Sequence, residues 1–203
     1  MLRMSLLLLF LLTGPQLAAS STILVVGDSL SASYGIPVQQ GWVALLQQRL
    51  LTQCGECNIV NASISGDTTA SARARLPQAL SRHQPDIVIL ELGGNDGLRG
   101  LSLAEMKANL AAMISIARER EARVLLIGVQ LPPNYGTVYT QKFHTLYQEL
   151  AREQGVALLP SLVEGVGTRA DLMQGDGIHP NVEAQPLIMA RVWEHLLPLL
   201  AEH

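Results

Sequence analysis

Five short apolar runs punctuate this chain, and their character leaves few folds open. Thr22 to Val26, Asn58 to Asn61, Asp86 to Leu92, Arg123 to Val129 and Val156 to Leu159 are β-branched or leucine-rich and nearly continuous. A strand has that composition when both of its faces are covered, as in a parallel sheet flanked by helices. The stretches between them carry helical periodicity. Ser102 followed by Glu105 has the pattern of a capping box. Leu103, Met106, Leu110, Met113, Ile114 and Ala117 then recur on one helical face. Tyr139, Phe143, Leu146, Tyr147 and Leu150 make a second stripe, and Leu187, Ile188, Val192 and Leu196 a third. All three read as core. Repeated β–α units of this kind predict one α/β domain, a doubly wound sheet of five parallel strands with right-handed crossovers. There is no internal repeat, low-complexity tract or linker in the sequence.

Such a sheet dictates where chemistry can sit, because ligands bind beyond the carboxyl ends of its strands. The loops at that edge are Gly27-Asp28-Ser29, Ala62 to Asp67, Gly93-Gly94-Asn95-Asp96 and Gln130 to Gly136, and they hold the polar and glycine-rich clusters of the chain. By itself Gly27-Asp28-Ser29 reads equally as a strand-to-helix turn with capping side chains, or as a phosphate site at a helix N-terminus. Neither a G-x-G-x-x-G nor a Walker-type pattern follows the strand, and the G-x-S-x-G elbow is absent.

A serine nucleophile requires a base, and the base an orienting acceptor. His83 and His195 fall on polar helix faces or ends, His144 beside an aromatic stripe, and His203 at the terminus. His179 differs, because Gly175-Asp176-Gly177-Ile178-His179-Pro180 sets it in an irregular turn with Asp176 three residues before it. A carboxylate so placed can reach Nδ1 and leave Nε2 for the serine; a plain loop histidine bonded to a local aspartate fits the same residues. Gly66 can present a backbone N–H unobstructed by a Cβ, Asn95 a side-chain amide, and Ser29 its own N–H, the donors that an oxyanion needs. Gly66 and Asn95 also read as ordinary turn residues. Glu91 and Asp96 could be a glycosidase pair, or Glu91 could end its strand in solvent.

Taken in order, Gly27-Asp28-Ser29-Leu30, Gly66, Gly93-Gly94-Asn95-Asp96 and Asp176-Gly177-Ile178-His179 resemble the successive blocks of the GDSL, or SGNH, hydrolase family. The resemblance spans nearly the whole chain beyond its first residues. It implies a three-layer αβα sandwich, flavodoxin-like, the SGNH hydrolase fold. It further implies Ser29 as nucleophile, His179 as base, Asp176 as its partner, and Ser29, Gly66 and Asn95 as oxyanion donors. Gly27 to Ser33, Asn61 to Thr68, Glu91 to Asp96 and Gln130 to Gly136 are similar to the bacterial periplasmic multifunctional thioesterase/protease/lysophospholipase subgroup. That likeness implies hydrolysis of fatty acyl esters and thioesters with arylesterase and protease side activities, and neither metal nor organic cofactor. The alternatives are a carbohydrate-ester deacetylase of the same family and a non-catalytic periplasmic binding module.

Gly97-Leu98-Arg99-Gly100-Leu101 reads as a mobile flap over an acyl chain, with Leu98, Leu101, Leu131 and Ile178 as substrate-binding residues; a plain surface loop is the other reading. The partner expected is therefore a small acyl ester or thioester, met by a monomer. With a net charge of −3 and no basic block, nucleic acid is excluded as a partner.

Arg3, the apolar run Met4 to Leu12, and small residues Ala18, Ala19 and Ser20 form a signal-peptide pattern over residues 1–19, leaving residues 20–203 as the hydrolase domain. The run is too short to span a bilayer, so stable membrane insertion is not expected. Export to the periplasm or beyond follows, and there Cys54 and Cys57, spaced C-x-x-C before a strand, are expected to form a structural disulfide rather than a redox pair or zinc site.

Overall fold

The computed structural model describes residues 21–54 and 56–201; the expected signal segment and His203 lie outside them. Five strands, β1 (Thr22–Gly27), β2 (Asn58–Asn61), β3 (Ile87–Glu91), β4 (Arg123–Ile127) and β5 (Ala157–Leu159), form one parallel sheet in the order β2-β1-β3-β4-β5. Six helices connect and follow them: α1 (Trp42–Cys54), α2 (Thr69–His83), the short α3 (Gly94–Leu98), α4 (Leu103–Arg118), α5 (Thr137–Gln154) and α6 (Gln185–Ala201). The expected three-layer sandwich is present.

Each inner strand is apolar on both faces because each face meets a helical layer. Ile23, Val25, Ile87, Ile89, Leu125 and Ile127 pack with Trp42, Leu46 and Leu50 of α1 and Ile188, Val192 and Leu196 of α6. Their neighbours Leu24, Val26, Val88, Leu90, Val124 and Leu126 pack with α2, α4 and α5 through Leu76, Leu80, Met106, Leu110, Phe143 and Leu150. Alternation of side chains across the strand thus feeds two cores at once.

Several sequence expectations shift at their margins. Strands β3 and β4 stop at Glu91 and Ile127, short of the apolar runs, while Leu92 and Val129 stay buried in the following loops. Burial outlasts the ladder there, so hydrophobicity overstates strand length. Leu187 is 46% exposed, because the buried face of α6 runs through Ile188, Val192 and Leu196 instead. The Ser102 hydroxyl accepts the Glu105 N–H at the start of α4. A reciprocal capping box forms at Thr68 and Ser71, ahead of α2, where the S/T-x-x-E/Q pattern does not mark one. Cys54 and Cys57 are disulfide-bonded with Cα atoms 5.6 Å apart. The pair precedes β2, at the edge where the strands begin.

At the opposite edge, Gly128 closes the step out of β4. Its N–H donates to Leu159 O (2.8 Å) and its carbonyl accepts from Leu162 N–H (3.0 Å). A Cβ there would fall inside contact distance of the Pro160 carbonyl, a backbone atom that cannot swing aside. Gly128→Ala is therefore expected to cost about 1–3 kcal/mol of stability. The check is a lowered urea midpoint at an unchanged slope.

Candidate active site

Beyond Gly27 the chain leaves β1 in a run of turns instead of entering a helix directly. Ala32 N–H donates to Asp28 O and Tyr34 N–H to Ser29 O, and α1 begins only at Trp42. Gly27 is required by crowding: a Cβ would lie 2.7 Å from Ser31 Cβ and Oγ and 3.0 Å from Glu91 Oε2. The turn holds Ser29 half-buried at the rim of a cavity.

His179 arrives at the same point from the far end of the chain. Its Nε2 is 2.8 Å from Ser29 Oγ and its Nδ1 is 2.7 Å from Asp176 Oδ2. Since a carboxylate only accepts, Nδ1 bears the proton and Nε2 is left to accept the Ser29 hydroxyl. Asp176 Oδ1 meanwhile accepts the backbone N–H groups of Ile178 (2.9 Å) and His179 (3.0 Å) around Gly177, whose φ of 67° suits glycine. Partial burial works to raise the Asp176 carboxyl, but these bonds and the His179 ring hold it down at about 2. It is thus charged whenever the imidazole needs it.

Two residues that carry no motif fix this loop. Gln174 donates from Nε2 to Tyr34 O (2.8 Å) and Pro180 O (3.0 Å), while its own N–H donates to His179 O (2.7 Å). The His179 loop is thereby tied to the Ser29 loop. Tyr34 lays its ring against the imidazole, centroids 4.6 Å apart. An amide and a tyrosine of this kind give no signal in the sequence for such a role.

Gly66 and Asn95 line the same cavity from the β2 and β3 loops. What demands glycine at position 66 is a φ of 84°, not room, since a methyl group there would come no closer than 3.7 Å to its nearest neighbour, Arg99 Nη2. Asn95 Nδ2 donates to Asp28 Oδ2 at 3.1 Å. Burial pushes Asp28 up to about 6, against the Leu30 N–H, the His179 charge and the Asn95 amide, which all favour its ionised form.

The cavity is about 360 Å³ and its wall is mostly apolar: Leu30, Leu98, Val129, Leu131, Pro132, Val163 and Ile178. Leu98, Leu131 and Ile178, the expected substrate-binding residues, are thus part of this wall. Leu101 does not; it is 43% exposed beyond Gly100, whose φ of 65° turns the chain. The expected flap is also partly helical, because Gly97 and Leu98 belong to α3 and their carbonyls accept the hydroxyls of Tyr139 and Tyr135 (3.2 Å each). Glu91 and Asp96 do not line the cavity. Glu91 is fully buried at the end of β3, not in solvent, and Asp96 accepts two bonds from Thr69 on α2. A glycosidase pair is thereby ruled out. His83, His144 and His195 lie on α2, α5 and α6, away from the cavity. Among the described residues no group of His, Cys, Asp and Glu could hold a metal ion, and no helix is long and apolar enough to cross a membrane.

The chain is similar to several esterases over most of its length. Esterase TesA of Pseudomonas aeruginosa is 52% identical over 185 residues, covering 91% of this chain and 92% of that protein. The thioesterase 1/protease 1/lysophospholipase L1 of Escherichia coli K12 is 43% identical over 183 residues, covering 90% and 86%. A crystal structure of the psychrotrophic esterase EstA from Pseudoalteromonas sp., inhibited by monoethylphosphonate, superposes with a TM-score of 0.84 at 36% identity, covering 90% of this chain and all of that one. Residues 25–186, from within β1 to the start of α6, match the GDSL-like lipase/acylhydrolase family, and to that family this chain belongs.

Proposed function

We propose that the protein is a serine hydrolase that cleaves fatty acyl esters and thioesters through an acyl-enzyme. The observation that carries the reading is the unbroken line from Asp176 through His179 to Ser29 Oγ, ending at the rim of a mostly apolar cavity. Family membership and the names of its relatives support it.

In the first step His179 Nε2 takes the Ser29 proton as Oγ bonds to the acyl carbon, and Asp176 stabilises the imidazolium. The carbonyl π pair moves onto oxygen, where the Ser29 N–H, Gly66 N–H and Asn95 amide meet the developing charge. Collapse expels the alcohol or thiol, which takes the proton from His179. Water, activated by the same nitrogen, then releases the fatty acid and restores Ser29.

An acyl chain fits the wall formed by Leu98, Leu131, Val129 and Ile178, and a single-chain lipid such as a lysophospholipid suits a cavity of this size. The same wall offers little to a sugar, which disfavours a deacetylase. Export of residues 20–203 is the companion proposal: the signal-peptide pattern and the Cys54–Cys57 bond both suit an oxidising compartment.

A phosphonofluoridate is expected to add one phosphonyl group to the protein, at Ser29, and none to Ser29→Ala. Intact-mass and peptide mapping read this; labelling elsewhere, or none, would sink the assignment and leave a binding module.

Because the Asp176 carboxyl is held at about 2, it stays ionised at every pH where the enzyme is assayed, and its own titration does not shape the rate profile. Asp176→Asn should lower kcat by up to about 10⁴-fold at all of those pH values. A loss confined to one end of the profile would show that Asp176 acts otherwise.

Leu98→Ser and Leu131→Ser should each reduce kcat/KM for long-chain p-nitrophenyl esters more than for the acetate. Leu101→Ser, outside the cavity, serves as the control. Equal losses across the chain-length panel would remove Leu98 and Leu131 from the acyl site.

A further inference from the structure

Under the Ser29 loop lies a pair of acids that the reaction above leaves unused. Glu91 has no exposure to solvent; its Oε2 accepts the Ser31 hydroxyl at 2.6 Å, and among the described residues its Oε1 has no hydrogen-bond partner. Asp28 is 2% exposed, yet both of its oxygens are engaged, Oδ1 by Leu30 N–H and Oδ2 by Asn95 Nδ2, each at 3.1 Å. A carboxylate removed from water has to have its lone pairs met by donors. Asp28 has a donor on each oxygen and Glu91 has not. Neighbouring carboxylates in a dry site resist a second ionisation, so near neutral pH the pair carries one charge and the donors place it on Asp28.

We propose that Glu91 is a positioning residue that remains a neutral acid, so that the single charge of the pair sits on Asp28 and clamps the Asn95 amide in line with the oxyanion. This rests on the reading of Asn95 as an oxyanion donor. An asparagine amide has two N–H bonds; with one held by Asp28, the other is left free for a substrate in the cavity that Asn95 lines. An ionised Glu91 would loosen that clamp in either of two ways, by leaving the one proton on Asp28 or, once that proton is lost, by standing beside Asp28 as a second like charge.

The electrostatics agree. Burial, and then the charge of Asp28, push Glu91 well above the ordinary carboxyl range, outweighing the Ser31 hydroxyl and the Asp28 N–H. Few other groups intrude. Tyr147 of α5, whose hydroxyl donates to Leu92 O, is pushed up by burial and then by the acids Glu91, Asp28 and Asp96. Asp67 and His179 act on Asp28 in opposite directions, and Asp67 is paired with Arg75 at 2.6 Å. The register explains why the acids meet: Gly27 pairs with Glu91 across β1 and β3, and Asp28 is the next residue.

Infrared spectroscopy of the full chain at pH 7 should show a protonated-carboxyl C=O band that Glu91→Gln lacks and that disappears as the wild-type protein is titrated to alkaline pH. Loss of that proton sets two like charges side by side and forces Asp28 off the Asn95 amide, so wild-type kcat should fall through the same alkaline range with KM unchanged, while Glu91→Gln, which cannot ionise, shows no such fall. Asn95→Ala should cost on the order of 10²–10³ in kcat, and Asp28→Asn about 10-fold or more. Combined, they should lose no more than about 3-fold beyond Asn95→Ala alone, since Asp28 acts through Asn95. Absence of the band at pH 7, or additive losses in the double variant, would overturn the proposal. If Glu91→Gln fails to fold, the wild-type band and its titration still decide. Phosphonofluoridate labelling separates the two readings: a missing band in a protein labelled at Ser29 defeats this proposal alone, whereas an unlabelled Ser29 defeats the hydrolase reading and this one with it.

Discussion

Strand β1 is paired on both sides, to β2 and to β3, and the register of the second pairing, Gly27 opposite Glu91, governs what happens at the active edge. Both strands end at that rung, so the Ser29 and Asn95 loops start side by side at the same height. Close approach there is possible only because position 27 has no Cβ to strike Ser31 and Glu91. The His179 loop comes from beyond β5, with no strand to set its height. It is located instead by Gln174, which holds Tyr34 O and Pro180 O with one amide group. Rigid pairing fixes half of the site and a few side-chain bonds fix the rest.

How much of this can be read in the sequence follows from the same division. The continuous apolar runs reveal parallel strands because burial on both faces is a compositional requirement, and the strand ends then reveal which loops share an edge. That reasoning reaches Ser29, Gly66 and Asn95, since each lies in such a loop and carries chemistry in its side chain or its missing one; Asp176 and His179 are reached instead through the glycine- and proline-flanked turn that sets them three residues apart. It fails where direction, not position, decides. Leu98 and Leu101 are three residues apart with the same side chain, yet only Leu98 lines the cavity, because Gly100 turns the chain between them. Glu91 is the sharper case. A charged residue at a strand end reads as the start of solvent, and only the folded neighbours Ser31 and Asp28 reveal that it points inward. Gln174 is illegible for a related reason: its partners are backbone carbonyls, which leave no mark in sequence.

The two aspartates near Ser29 illustrate how environment, not residue type, assigns roles. Asp176 is the more exposed, and it is the one held at about 2, because two backbone N–H groups and an imidazole point at it. Asp28 is almost wholly buried and rises to about 6, since two donors at 3.1 Å do not replace the water it has lost. Divergence of this kind between neighbouring acids separates tasks on one scaffold. The low one suits the work of opposing an imidazolium, which needs a charge that never lapses. The high one sits close to its own titration, so its charge depends on what else shares its pocket. A neutral partner there keeps a second charge away from Asp28, which is why the acid behind it matters to a reaction it never touches.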